Sequence, residues 1–330
     1  FAVDFKAKNG KISAEITHHE DEKLEINNEG DARAIEKKLK EDSFSVHSIK
    51  KTERKRNPYP PYTTSTLQQD ASVRLNFSSS KTMMIAQKLY EGIKIKGGTE
   101  GLITYMRTDS TRVSEGALAS AKDYILENYG KDYHERRNTG AKKNAQDAHE
   151  AVRPTHVTHS PSAISQYLSK DELKLYTLIW ERFVASQMTP ARFDNTVVQV
   201  KSDSFLGRAR GEILTFDGFM RVYKLTSQEI ILPELEEGED LETKKVTAEQ
   251  KFTQPPSRYT EASLIKELEE QGIGRPSTYA PTLYTILKRG YVTKEKKALK
   301  PTELGEITNK ILEENFLDFI ETDFTAEMEQ

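Results

Sequence analysis

Apolar and polar residues alternate over the start of the chain. The apolar members of this alternation lie on either side of the dipeptide Asn9-Gly10 and are Val3, Phe5, Ala7, Ile12, Ala14 and Ile16. A period of two residues is typical of a β-strand with one buried face, and Asn-Gly favours a two-residue hairpin turn because both positions tolerate a positive φ. The pattern therefore predicts a β-hairpin over residues 2–18. A short helix carrying Leu39 and a strand over 44–51 are predicted to follow.

The period of the apolar residues becomes helical after Thr63. The preceding segment 57–62 is rich in proline, which cannot donate a backbone hydrogen bond within a sheet, and it predicts a boundary. The predicted helices are one with Leu67, Ala71 and Leu75 on its apolar face, one capped by Ser79 or Ser80, one capped by Ser114 that ends near Gly130, and one over 170–188 that contains Trp180. Between them, the apolar run 102–105 predicts a buried strand that ends in a polar loop.

Alternation resumes over residues 193–225, with Gly207, Gly211 and Asp217-Gly218 as turn signals. The helical block is therefore predicted to be an insert between two β segments. Beyond an acidic linker and Pro255-Pro256, a third pattern begins.

This third pattern is that of a winged-helix module. Thr260 caps a helix that ends at Gly272, and a second helix begins around Pro276 and stops at Gly290. An extended hairpin then continues to Pro301. Two helices joined by a tight turn and followed by a β-hairpin often contact nucleic acid.

Composition limits the possible chemistry. The 330 residues contain no cysteine, which excludes a disulfide framework, a thiol nucleophile and a thiolate zinc site. The absence of cysteine also favours a reducing compartment, so we expect a cytoplasmic protein. No apolar stretch is long enough to span a membrane. Because the chain begins with Phe1 in the middle of a strand pattern, we expect it to be a piece of a longer protein.

The net charge of −3 hides two opposite regions. Lysine and arginine crowd residues 50–56, whereas aspartate and glutamate crowd residues 234–242. Bulk charge therefore gives no support for a nucleic-acid partner, although local charge permits one. The sequence also lacks a P-loop, a dinucleotide fingerprint and the His-Glu-x-x-His zinc motif, and no metal site is predicted.

Tyr105 and Arg107 form the first candidate site. Tyr105 ends the apolar run, and Arg107 places a permanent cation two positions later. Phosphodiester chemistry needs this combination, because the phenol oxygen can form a covalent intermediate while the cation offsets the charge on the phosphate. The alternative is a structural tyrosine beside an arginine in a surface ion pair.

His149 and Arg153 form the second candidate site. They lie four residues apart, so in a helix they would share a face and could hold one phosphate from two directions. A purely structural histidine is the alternative.

Three segments together resemble motifs of one family. Residues 103–110 (ITYMRTDS), 146–155 (QDAHEAVRPT) and 272–280 (GIGRPSTYA) are similar, in this order, to motifs of the bacterial type IA DNA topoisomerases. The resemblance implies an enzyme that cuts one DNA strand, holds the 5′ phosphate on a tyrosine, passes another strand and reseals the break. It would relax negative supercoils without ATP.

The resemblance also implies roles for individual residues. Tyr105 would be the nucleophile, Arg107 would position it or stabilise charge at the scissile phosphate, and His149 would join the hydrogen bonds around that phosphate. The further DNA contacts would come from Arg112, Arg153, Arg275, Ser277, Thr278 and Arg289. Arg289 has a second interpretation, as a cation that stabilises the C-terminal end of its helix.

The implied fold is a multidomain α+β architecture. A β-rich arch would be split between residues 1–63 and 191–254, and a helical domain carrying the nucleophilic tyrosine would occupy 64–190. Residues 255–330 would form part of a winged-helix-like α domain, the base that binds DNA. The implied partner is DNA, chiefly single-stranded segments of negatively supercoiled DNA, and the implied protein is a cytoplasmic, nucleoid-associated monomer.

One part of the family pattern has no counterpart in this sequence. The Toprim domain of the family supplies a catalytic glutamate, a lysine and the acidic residues that bind Mg²⁺, and nothing here matches it. We therefore expect no cofactor in this chain, Mg²⁺ in the parent enzyme, and no cleavage or relaxation by the chain alone. The alternatives are a non-catalytic single-stranded DNA-binding module and a winged-helix transcription factor, which would leave Tyr105 and His149 unused.

Overall fold

The computed structural model describes residues 1–20, 22–136, 149–226 and 228–329. Its strands are β1 (Ala2–Ala7), β2 (Gly10–His19), β3 (Glu22–Lys23), β4 (Phe44–Arg56), β5 (Ile93–Ile95), β6 (Gly98–Glu100), β7 (Ala191–Lys201), β8 (Phe205–Phe216), β9 (Asp240–Thr247), β10 (Val292–Glu295) and β11 (Ala298–Pro301). Its helices are α1 (Glu29–Glu41), α2 (Thr64–Asp70), α3 (Ser79–Glu91), α4 (Glu115–Asn128), α5 (Pro161–Ile164), α6 (Lys170–Ser186), α7 (Glu261–Glu270), α8 (Tyr279–Lys288), α9 (Glu303–Ile320) and α10 (Thr322–Met328). The protein is thus of the mixed α+β class, as the sequence predicts.

The chain divides into two compact units. The first comprises Phe1–Asn57, Pro190–Gly218 and Lys224–Pro255. The second comprises Pro58–Thr189, Phe219–Tyr223 and Pro256–Gln330. The assignment of segments to an arch, a tyrosine-bearing domain and a base remains a prediction.

An antiparallel sheet forms the first unit. Its strand order is β1-β9-β4-β7-β8-β2-β3, and a further pairing of β1 with β2 joins all of these strands except β3 into a closed ring. Alternate side chains of these strands, together with Leu39 of α1, form one hydrophobic core. Burial of this inward set accounts for the alternation in the sequence.

The predicted hairpin over 2–18 is confirmed, but its turn lies one residue earlier than predicted. Ala7 pairs with Gly10, so the two loop residues are Lys8 and Asn9. Gly10 has no positive φ. A Cβ at this position would lie 2.9 Å from Cβ of Pro233, so close packing, not turn geometry, accounts for this glycine.

Gly207 and Gly211 are also not turn residues, because both lie inside β8. A Cβ at Gly207 would approach Cγ2 of Val200 to 2.8 Å, and one at Gly211 would approach Cγ of Leu232 to 2.9 Å. These glycines therefore allow neighbouring chain segments to lie close against the strand.

The second unit contains the helices from α2 onward, including those of the winged-helix module. The helix that carries Trp180 and the helix that begins after Ser114 occupy the predicted regions as α6 and α4. The cap of α3 is Ser78, whose side chain accepts a hydrogen bond from the amide of Lys81, so Ser79 and Ser80 are not caps. Helices α7 and α8 with the hairpin β10–β11 have the predicted order, although α8 begins at Tyr279.

No helix in the described part of the chain is both long and apolar enough to cross a membrane.

Candidate active site

The segment that contains Tyr105 is extended but belongs to no sheet. Leu102 and Ile103 are fully buried, and the amide of Leu102 donates to the carbonyl of Leu89 at the end of α3, at 2.7 Å. On its other side, the amide of Thr155 donates to the carbonyl of Leu102 at 3.0 Å. The run predicted as a strand is therefore an isolated extended segment, which forms a single bridge between Ile103 and Pro154.

The side chain of Thr104 joins this segment to residues 149–155. Its hydroxyl donates to the carbonyl of Ala151 at 2.6 Å and accepts from the amide of Arg153 at 3.0 Å. The amide of Thr104 also donates to the carbonyl of Arg153. These hydrogen bonds fix the segment that contains His149 and Arg153 to the segment that contains Tyr105.

Thr64, in the first turn of α2, fixes the chain on both sides of Arg107. The Thr64 hydroxyl donates to the carbonyl of Met106 at 2.7 Å and accepts from the amide of Thr108 at 2.8 Å. Thr64, Met106 and Thr108 are buried, whereas Arg107 is exposed. The arginine therefore extends outward from a backbone that is held on both sides.

His149 lies beside Tyr105, with 5.7 Å between the ring centroids. The helical arrangement considered for His149 and Arg153 is not observed, because residues 149–155 are extended. Two amides of this segment bond to different parts of the chain. The amide of Ala151 donates to the carbonyl of Arg112, and the amide of Val152 donates to the carbonyl of Tyr62. Residues 146–148 of the motif lie outside the described residues.

The predicted cations differ in what surrounds them. Arg107 and Arg112 are exposed, and no carboxylate among the described residues pairs with their guanidinium groups. Arg153 is instead largely buried: its Nε donates to Glu150 at 2.7 Å, and its Nη1 donates to the carbonyl of Pro154 at 2.9 Å. The guanidinium groups of Arg107 and Arg112 are therefore available to bind a phosphate, whereas that of Arg153 already has partners within the fold.

The third motif forms a turn held by Arg275 and Thr278. The guanidinium of Arg275 donates to the carbonyls of Gly272 and Gly274 and to Glu329, and the Thr278 hydroxyl accepts from the amide of Arg275 at 2.7 Å. Ser277 and Thr278 are exposed. Arg289 is also exposed, at the C-terminal cap of α8, so both of its interpretations remain open.

Tyr279 indicates that the third motif lies near the first. Burial, together with the nearby carboxylates of Glu269 and Asp109, raises the pKa of Tyr279 to about 12. Asp109 follows Arg107 closely in the chain, so the structure brings segments of all three motifs into one region of the second unit.

Sequence reasoning missed several residues that support this region. Glu261 and Glu269 lie on α7, two helical turns apart, and each accepts a hydrogen bond near the start of another helix. Glu269 accepts from the Ser65 hydroxyl at 2.7 Å in α2. Glu261 accepts from the Ser79 amide at 2.9 Å in α3 and pairs with Lys294 at 2.8 Å. In the sequence, both look like ordinary helix-surface acids.

The described residues do not fit a bound metal ion. No group of three or more histidine, cysteine, aspartate or glutamate side chains among them is arranged to hold one.

Comparison with known proteins agrees with the motifs. The family model described as DNA topoisomerase matches residues 1–330. The crystal structure of full-length topoisomerase I from Thermotoga maritima is similar to this chain, with a TM-score of 0.86 and 40% sequence identity. The match covers 99% of this chain and 53% of the Thermotoga chain, so this chain spans about half the length of that protein.

We predict that Thr64→Val destabilises the protein, because it leaves a buried amide at Thr108 and a buried carbonyl at Met106 without this partner. The expected loss in the free energy of unfolding is about 1–3 kcal/mol, measured by urea denaturation. Thr64→Ser keeps the hydroxyl and serves as the matched control. Equal stability of the Val and Ser variants would contradict the role given to this hydroxyl.

We also predict a pH-dependent contribution from Glu261. Burial alone would raise the pKa of Glu261, but the hydrogen bonds from Lys294 and Ser79 outweigh it and hold the pKa below its ordinary value of about 4.5. A lowered pKa in the folded state stabilises the fold above the ordinary value, and this stabilisation is lost as the pH falls through the folded-state pKa.

Glu261→Gln is therefore expected to lower the free energy of unfolding at pH 7 by about 1–3 kcal/mol, with a smaller difference from the unmodified protein below pH 4.5. Glu270→Gln, which alters an exposed pair with Lys266 on the same helix, is the control and should change little at either pH. A Glu261→Gln effect that is independent of pH would argue against a charged interaction.

Proposed function

Because this chain belongs to the DNA topoisomerase family, we propose that it is the part of a type IA topoisomerase that carries the nucleophile. In this proposal Tyr105 cleaves one DNA strand, another strand passes through the break, and the break is resealed, which relaxes negative supercoils without ATP. The observation that carries the proposal is the position of Tyr105. Its ring lies beside His149, on a backbone that also presents the unpaired cation of Arg107.

The proposed reaction exchanges one phosphodiester for another. The phenol oxygen of Tyr105 loses its proton and forms a bond to the scissile phosphorus, while the bond from phosphorus to the 3′ oxygen breaks and that oxygen takes up a proton. The 5′ phosphate remains on the tyrosine. Because the number and type of ester bonds are unchanged, the reverse attack by the 3′ hydroxyl can reseal the strand without an external energy source.

Arg107 and His149 are proposed to act on the phosphate. The guanidinium of Arg107 offsets the negative charge that develops on the phosphate oxygens, and a group in such a position contributes about 10²–10³-fold to a rate. His149 donates a hydrogen bond from a ring N–H to the same phosphate. Both are supported by the absence of a competing carboxylate on Arg107 among the described residues and by the ring contact of His149 with Tyr105.

The proposed DNA-binding surface extends from Tyr105 to the third motif. Its proposed contacts are Arg107, Arg112, Arg153, Arg275, Ser277, Thr278 and Arg289. Arg112 and Arg289 are supported by exposure, whereas Arg153 and Arg275 also hold the local chain and would contact DNA only with the groups that remain. We propose a monomer that prefers single-stranded DNA, binds it more weakly as salt rises and works in the cytoplasm at the nucleoid.

Mg²⁺ is proposed to act in the parent enzyme through a Toprim domain. The described residues provide no matching cluster of ligands, so this part of the proposal rests on the family resemblance. The metal would supply additional charge at the phosphate. The alternative function, a single-stranded DNA-binding module without chemistry, uses the same cations but gives Tyr105 no covalent role.

We predict that the parent enzyme, supplied with Mg²⁺ and a single-stranded oligonucleotide labelled at its 3′ end, retains the label on the protein after denaturation. Tyr105→Phe should abolish this adduct because the attacking oxygen is removed. Tyr167→Phe is the control and should form the adduct normally. Intact oligonucleotide binding without an adduct in any variant would leave only the binding module.

We further predict that the 330-residue chain alone binds single-stranded DNA but does not relax supercoiled plasmid. The physical reason is that the proposed metal-binding half of the site is supplied by a separate domain. Agarose-gel relaxation assays with and without Mg²⁺ test this. Magnesium-dependent relaxation by the chain that disappears in Tyr105→Phe would contradict the prediction.

A further inference from the structure

We propose that Tyr90 is a positioning residue for the Tyr105 nucleophile, an inference that rests on the proposed function. Tyr90 lies in the last turn of α3, outside the motifs that the sequence identifies. Its ring contacts the Tyr105 ring in an edge-to-face arrangement, with 5.4 Å between centroids and 65° between planes. The inferred role is to hold the phenol of Tyr105 in the direction from which it attacks phosphorus.

The ring contact matters because Tyr105 has little else to orient it. Among the described residues, no hydrogen-bond partner contacts the Tyr105 hydroxyl. In the described part of the chain, the rings of Tyr90 and His149 are the aromatic groups that contact it. An aromatic side chain without a hydrogen bond takes its ring direction from packing, and edge-to-face pairs are a preferred arrangement.

The backbone keeps Tyr90 at a fixed distance from the nucleophile. The carbonyl of Leu89 accepts from the amide of Leu102 at 2.7 Å. A Cβ at Gly101 would lie 2.5 Å from the carbonyl oxygen of Tyr90, so only glycine permits this approach. The end of α3 and the start of the Tyr105 segment are therefore held together, which keeps the backbones of the two tyrosines close.

The exposure of Tyr90 distinguishes positioning from core packing. Its side chain is 39% exposed, so its replacement removes little buried area from the fold. Loss of one edge-to-face contact is expected to slow attack by about 2- to 10-fold. Binding of DNA, which depends on cations elsewhere, should change little.

The test measures single-turnover formation of the covalent adduct and, separately, the dissociation constant for the same oligonucleotide, in the parent enzyme with Mg²⁺. Tyr90→Ala and Tyr90→Leu remove the ring, and the leucine keeps most of the volume in case alanine impairs folding. Tyr90→Phe keeps the ring and removes the hydroxyl. Met84→Ala changes an exposed apolar residue on the same helix and is the control.

We expect the Ala and Leu variants to form the adduct about 2- to 10-fold more slowly with an unchanged dissociation constant, and the Phe and Met84 variants to behave like the unmodified enzyme. Weaker binding by the Ala and Leu variants at an unchanged rate would identify Tyr90 as a base-stacking residue and overturn the proposal. A Phe variant as slow as the Ala variant would assign the effect to the hydroxyl and also overturn it. Absence of any adduct in the unmodified enzyme would refute the proposed function itself, whereas normal rates in all Tyr90 variants would refute only this inference.

Discussion

The candidate site depends on the hydrogen bonds that hold the backbone of the Tyr105 segment. This segment is extended but belongs to no sheet. Neighbouring strands would normally satisfy its amides and carbonyls, because buried polar groups without partners are costly. Here, the hydroxyls of Thr64 and Thr104 supply hydrogen bonds on either side of Tyr105. The carbonyl of Leu89 at the end of α3 accepts from the amide of Leu102, and the amide of Thr155 donates to the carbonyl of Leu102. This arrangement fixes the backbone and leaves alternate side chains free to extend outward.

The need to fix the backbone also explains why the arginines have different roles. Arg153 and Arg275 donate to backbone carbonyls and to Glu150 and Glu329, and so hold the local chain of the second and third motifs. Arg107 extends from a backbone that other residues already fix, so its guanidinium is not needed to hold the local chain. A site that binds phosphate needs both kinds of arginine, because a free cation is useful only when its position is defined.

Features set by local pattern could be predicted from the sequence, and features set by distant contacts could not. The first hairpin and the helix–helix–hairpin order near the C-terminus follow from alternation, caps and turn residues. The sequence predicts a turn residue at Gly10, whereas this glycine packs against Pro233, a contact that no local pattern reveals because Pro233 lies far away in the chain. The spacing of His149 and Arg153 permits a helix, yet the carbonyls of Arg112 and Tyr62 accept from the amides of Ala151 and Val152 between them, and no helix forms. Thr64 and Tyr90 lack any sequence signal, since hydroxyls and aromatic rings at helix ends are common.

The central claim is that Tyr105, and no other tyrosine, becomes linked to DNA. Tryptic digestion of the trapped adduct followed by mass spectrometry tests it most directly, because cleavage after Lys96 and Arg107 releases a peptide, 97–107, whose only tyrosine is Tyr105. The predicted result is the mass of a 5′-phosphorylated nucleotide fragment on this peptide. The same mass on a peptide that contains another tyrosine, such as Tyr279, would contradict the account.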